Sequence, residues 1–192
     1  MAESSAQRGF GGKTIGHSPL PTPIDRVFLE DLNARYDAAW NAKDIEAFLA
    51  LHTEDCVWET PFIHPHGIAR GHAEIRAECE RDLRAFAEMH AETHALFLSL
   101  DGTRAAQQWT IRARLVAAID PPGYAPTNRP IVMHGVSVWE LDGERLSRVT
   151  EYVDGVAVAR QIGLLPQPET IGERLGVLGQ RLAAWRMRRR GR

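Results

Sequence analysis

Three side chains in this sequence pair proton chemistry with apolar surroundings. Asp154 ends the last segment that reads as a strand, Glu144 to Gly155. A carboxyl at such a position, turned into an apolar interior, has its charged form disfavoured and its pKa raised into the range useful for a general base. The alternative is that Asp154 caps the turn at Gly155-Val156. His134 shares a strand face with Val132, Val136 and Val138, which suits either a proton shuttle or a core imidazole held by a local hydrogen bond. Tyr36 lies on the first helical segment, where a buried phenol donates either to a substrate carbonyl or to a backbone oxygen. His64, His66 and His72 are near one another, but a Pro/Gly loop without a well-spaced Asp, Glu or Cys is a poor metal site, and no metal is expected. Cys56 and Cys79 read as small packing residues rather than nucleophiles.

The elements that position these residues follow from periodicity. Val27, Leu32, Tyr36, Ala39 and Trp40 fall near one face of a helix that Asp25 can cap, and Asp44 can cap a short second helix carrying Ile45, Phe48, Leu49 and Leu51. Residues 56–60 form a short strand stopped by Pro61. A loop over 62–70 leads into a helix from about Ala73 to Met89, with Ile75, Cys79, Leu83 and Phe86 as its buried stripe. Beyond His90 the period falls to two. Strands are expected over 90–100, 103–119, 131–141 and 144–155, with Asp101-Gly102 and Asp142-Gly143 as tight turns and a proline-rich loop over 120–130. On the longest strand Gln107, Trp109, Ile111, Ala113 and Leu115 share one face, and Gln108, Thr110, Arg112 and Arg114 the other. A helical turn ends at Pro166, and a last helix from about Pro168 to Met187 carries Leu175, Leu178, Leu182 and Trp185 along one side. It is expected to dock on the body, its terminal arginines favouring the negative end of its dipole. Helices followed by an antiparallel meander indicate an α+β domain.

Chain-wide quantities narrow the function. The 192 residues, 44% hydrophobic, suffice for one domain, 24–166, preceded by a Gly/Pro-rich arm over 1–23 and followed by the C-terminal helix over 167–192. A net charge of -2 and a pI near 6.4 give no global field for nucleic acid or an anionic membrane. Two cysteines cannot make a disulfide framework, and the first twenty residues hold no apolar signal core, so a cytoplasmic protein is expected.

Tyr36-Asp37-Ala38-Ala39-Trp40-Asn41-Ala42-Lys43-Asp44 resembles the first-helix signature of the nuclear-transport-factor-2-like superfamily. Residues 126–132, His134-Gly135-Val136, Asp142-Gly143, Glu151-Tyr152-Val153-Asp154 and Gln161-Ile162-Gly163-Leu164-Leu165 are similar to its SnoaL-like branch. The resemblance implies a bent, mainly antiparallel sheet wrapped around the N-terminal helices to leave a conical pocket. It implies that Asp154 is the acid/base of cyclases and epoxide hydrolases, and that Tyr36 is the oxyanion donor of ketosteroid isomerases. Two positions depart from those patterns. Thr60 stands where the isomerases carry a proton-abstracting aspartate, and residues 108–112 lack the Arg-x-Asp pair of the epoxide hydrolases.

The resulting expectation is a cofactor-independent cyclase, isomerase, dehydratase or hydrolase acting on a carbonyl-bearing polyketide, terpenoid or steroid-like molecule. Asp154, Tyr36 and His134 are its catalytic candidates, and Trp40, Trp58, Thr60, Phe62, Trp109, Ile111 and Val136 its pocket lining. The alternative is a non-catalytic module that holds an apolar ligand or pairs with itself. In either case a homodimer through the outer sheet face is expected, with a small apolar ligand and neither nucleic acid nor membrane as partner.

Overall fold

The computed structural model describes residues 24–60, 67–120 and 122–190. The expectations for the arm over 1–23, and for Phe62, His64 and His66, lie outside the described residues. Eleven elements follow one another: α1 (Arg26–Ala42), α2 (Ile45–Ala50), β1 (His52–Glu59), β2 (Ile68–Arg70), α3 (Gly71–Ala85), β3 (Phe86–Leu98), β4 (Arg104–Leu115), β5 (Pro130–Asp142), β6 (Arg145–Val153), α4 (Gly155–Gln161) and α5 (Ile171–Arg190). The six strands form one unclosed mixed sheet in the order β2-β1-β6-β5-β4-β3, with only β1 and β6 parallel. This is the α+β cone expected from the residues.

Local chemistry explains how α1 comes to lie across the sheet. Asp25 caps it by accepting the Phe28 N–H at 2.7 Å, and Lys43 ends it in the left-handed conformation at φ 59°. The Asn-x-x-Asp segment that follows has two physical tasks. Asn41 clamps the helix to β3 by donating to the Ala91 carbonyl at 2.9 Å and accepting the Ala91 N–H at 2.8 Å. Asp44 then caps α2 through the Ala47 N–H. Deeper in, the buried Gln107 amide of β4 donates to Asn33 at 2.8 Å and to Asp37 at 2.9 Å, fastening α1 to the sheet by polar bonds in a dry layer where an unpaired group is costly.

The buried side chains divide into two groups. Tyr36, Phe48, Trp58, Cys79, Trp139 and Val149 belong to the first, between α1, α2, α3 and β1. Phe86, Met89, Trp109, Leu115, Ile131, Met133 and Val158 belong to the second. Trp40 packs against both, and a cavity lies where they meet.

Several boundaries differ from the periodicity. The third helix stops at Ala85 rather than Met89, because Phe86 pairs with Leu115 and Glu88 takes a φ of 54°, so Phe86 and Met89 enter the core from a strand. Strand β1 starts at His52, earlier than the β-branched run suggested, its first residue buried through a bond to the Phe48 carbonyl. Val27 is 75% exposed and lies off the buried face of α1, which is formed by Leu29, Leu32, Asn33, Tyr36 and Ala39.

The last helix is the largest correction. Gly163 (φ 82°), Pro166 and Pro168 turn the chain outward after α4, and α5 borders the body near Arg160, Leu165 and Pro166, leaving Leu175, Leu178, Leu182 and Trp185 between 45% and 62% exposed. No helix among the described residues is long and apolar enough to cross a membrane.

Gly135 is required where two strands cross the cavity floor. A Cβ there would collide with the Trp109 ring and the Tyr152 carbonyl. The Gly135→Ala variant is therefore expected to displace Trp109, break its 2.8 Å bond to the Ser137 hydroxyl and lower stability by about 1–3 kcal/mol. Chemical denaturation monitored by fluorescence measures this.

Candidate functional site

The cavity has a volume of about 60 Å³ and opens to solvent at one end. It is walled by Trp40, Trp58, Phe86, Met89, Trp109, Ile111, Met133 and Val153, with Tyr36, Asp37, Thr60, Asp82, Gln107, Ser137 and Glu151 supplying polar groups. The lining comes from seven elements, so the shape depends on α1, α3 and five strands at once.

Of the residues the sequence proposed, Tyr36, Trp40, Trp58, Thr60, Trp109 and Ile111 converge here. Val136 does not, because β5 turns Ile131, Met133, Ser137 and Trp139 inward and Val132, His134, Val136 and Val138 outward. His134 is exposed on that outer face, where the Thr110 hydroxyl bridges it to His94 at 2.9 and 2.7 Å. The reading of His134 as a pocket shuttle is therefore withdrawn. Asp154 is also exposed. It is the N-cap of α4, accepting the Ala157 N–H at 3.0 Å, which is the capping alternative stated for it above. The carboxyls that do line the cavity are different ones.

Those carboxyls are Glu151 and Asp82. Along β6, Val149, Glu151 and Val153 face inward while Tyr152 faces out, and the surface Glu151 retains belongs to the cavity it lines. Burial pushes its carboxyl up to about 7, and the negative charge of Asp82 acts in the same direction. The Thr60 hydroxyl, donating at 3.2 Å, the neighbouring Trp58 indole and the Ser137 hydroxyl favour the anion without reversing the shift. The Trp58 N–H is directed at Glu151 without closing to full hydrogen-bond geometry, and the buried Trp40 N–H has no partner among the described residues. Asp82 lies on the buried stripe of α3 with Ile75 and Cys79, three residues beyond Cys79. Desolvation pushes it up to about 7 although the Arg81 guanidinium, 3.5 Å away, opposes the shift.

Tyr36 completes the set. Its ring is wedged between Phe48 and Trp139, with centroids at 4.8 and 5.1 Å. Burial, and then the charge of Glu151, hold the phenol well above its ordinary pKa, so it stays protonated and available as a donor. It makes no hydrogen bond among the described residues. The other candidates fall away from the site: His72 bonds the His52 carbonyl at 3.2 Å, and burial pushes the Cys56 thiol up to about 12 and Cys79 further in the same direction, leaving both un-ionised.

The SnoaL-like domain profile matches residues 33–149, well over half of the chain and most of the sheet just described. The chain belongs to the SnoaL-like domain family. Solved structures agree with this. A candidate polyketide cyclase from Pseudomonas putida KT2440 is 26% identical, with 68% of this chain and 94% of that chain covered at a TM-score of 0.60. A protein with a ketosteroid isomerase-like fold from Catenulispora acidiphila, in complex with trimethylamine, is 15% identical over 69% of this chain and 92% of its own, TM-score 0.58. TerC, co-crystallised with polyporic acid, is 18% identical over 71% and 98%, TM-score 0.58. No curated protein matches. The SnoaL-like cone of this chain is thus shared by its relatives, and the extension that carries α5 lies beyond the matched residues.

The two raised carboxyls have a measurable consequence. A carboxyl with a folded pKa near 7 and an unfolded one of about 4 keeps its proton longer in the folded state, so stability is greatest below about pH 4 and declines until the folded pKa is passed. Melting temperature is expected to fall between pH 5 and 8, and Glu151→Gln to flatten that fall and raise the melting temperature at pH 8.

Proposed function

We propose that this SnoaL-like protein is a cofactor-independent enzyme that moves a proton on a carbonyl-bearing organic molecule held in the cavity, with Glu151 as the base and Tyr36 as the donor to the developing oxyanion. The observation that carries the reading is Glu151: an inward-facing carboxyl among aromatic walls, raised to about 7, where it is substantially ionised at neutral pH and still basic. Asp82 shares the cavity, and its charge raises Glu151 further. The protonated Tyr36 phenol stabilises an enolate more than a ketone, because the charge on that oxygen develops only in the transition state.

The walls support the choice of substrate class. Trp40, Trp58, Phe86 and Trp109 offer flat apolar faces, and Tyr36, Thr60 and Ser137 set hydroxyl groups among them for oxygen acceptors on a ligand. An oxygenated polycyclic or aromatic skeleton satisfies both. A small ion leaves the indole faces uncovered. The relative that binds polyporic acid and the one described as a candidate polyketide cyclase are in keeping with this class.

The homodimer remains part of the reading. On the outer sheet face Val136 and Val138 are half-buried and Tyr152, opposite Val136, is 62% exposed, an apolar strip available to a second copy. Light scattering is expected to give twice 21.4 kDa, and a particle of 21.4 kDa at micromolar concentration removes the dimer.

For the chemistry, exchange of α-protons into deuterated buffer on a panel of cyclic and aromatic ketones, followed by NMR, is the direct assay. Glu151→Gln is expected to lower exchange roughly 10²–10⁴-fold and Tyr36→Phe roughly 10²–10³-fold. Asp154→Ala is expected to cost about 1 kcal/mol of stability through the lost cap and to leave exchange within a few-fold of wild type. Full activity of Glu151→Gln, or loss of activity in a folded Asp154→Ala, contradicts the assignment.

A further inference from the structure

The extension beyond the cone is a 20-residue helix with an open apolar seam. Ile171, Leu175, Leu178, Leu182 and Trp185 recur at alternating steps of four and three, which on an α-helix is one narrow stripe. All five are between 45% and 75% exposed. The sequence-wide charge of -2 conceals a division: residues 171–192 hold seven arginines and one glutamate, +6, whereas residues 1–170 sum to -8. The one acid, Glu173, is in the first turn, where its carboxylate accepts the Glu169 N–H at 2.7 Å. Arg174, Arg181 and Arg188 follow one flank of the stripe at steps of seven, and Arg189 stacks over the Trp185 ring at 4.0 Å.

Each kind of cover must satisfy both features. A nucleic acid neutralises the arginines and leaves five large apolar side chains in water. A second copy of α5 covers the seam but places arginine against arginine along it, since Arg181 and Arg186 flank both sides. An anionic lipid surface covers the stripe with acyl chains and meets the arginines with headgroup phosphates, and it accepts a helix end that is basic all round. We infer that α5 is an amphipathic anchor that lies in the interface of an anionic membrane, holding the SnoaL-like cone beside it. The acidic body is repelled by the same surface, so the helix lies down and the cone stands off. The roughly 30 Å of α5 lies in the plane rather than crossing, in agreement with a helix too polar to span a bilayer. Nothing in this inference requires the cavity to be catalytic.

The test is cosedimentation of the full chain with phosphatidylglycerol/phosphatidylcholine vesicles and with vesicles of phosphatidylcholine alone. Binding is expected on the first, weakening as salt rises, and little on the second. The triple variant R186Q/R188Q/R189Q is expected to lose partition by roughly fivefold for each arginine removed, the equivalent of about 1 kcal/mol apiece. Leu178→Glu with Leu182→Glu, which keeps every arginine, is expected to lose at least as much. Both variants alter only exposed residues outside the cone, so their melting temperatures are expected to match wild type. Equal binding to the two vesicle types, no binding to either, or duplex DNA binding unaffected by the leucine changes overturns the inference, the last in favour of a nucleic-acid contact.

Discussion

A carboxyl held in an apolar hollow is the constraint on which the proposed chemistry depends. Glu151 stays there because β6 is paired on both sides, to β5 and to β1, leaving its inward residues nowhere to go but the cavity. Burying a charge is expensive, and the structure meets that expense by letting the proton stay longer instead of supplying a cation. The Arg81 guanidinium adjoins Asp82 and does not restore it to the ordinary range. A fully compensated carboxylate would stabilise the fold more and accept protons less.

The rest of the architecture serves that hollow. Asn41, Gln107 and the Asn33–Asp37 pair fix α1 at a set height over the sheet, and that height decides whether side chains close the cone or leave it open. Gly135 allows Trp109 to lie flat across the floor, and Ser137 takes its N–H, so the polar end of the indole is satisfied while its face remains available. Tyr36 is fixed by ring contacts on both sides, which orders its hydroxyl without consuming it.

Much of this was legible in the sequence, and the errors have physical causes. The caps Asp25 and Asp44, the strand alternation through Trp109 and six of the lining residues were legible from local rules and resemblance that tertiary structure did not override. The inward-facing carboxyl lies three residues before the one the sequence suggested. Resemblance pointed to Asp154, yet the period of two was already informative, since Glu151 shares its parity with Val149 and Val153 while Asp154 does not. Asp82 carried a similar signal, an acid three residues beyond Cys79 on an apolar helix stripe. His134 was harder, because both faces of β5 are apolar and alternation cannot say which one is inward. The open helix α5 was illegible for another reason: an amphipathic stripe reports that something covers it, not that the cover belongs to the same chain.

The most direct measurement is an NMR titration of the glutamate side-chain carboxyl carbons, with Glu151→Gln used to assign the signal. A midpoint near 7 for Glu151, falling when Asp82 is changed to Asn, is the predicted result. A midpoint at the ordinary value of about 4 means that the carboxyl is hydrated, and contradicts the account.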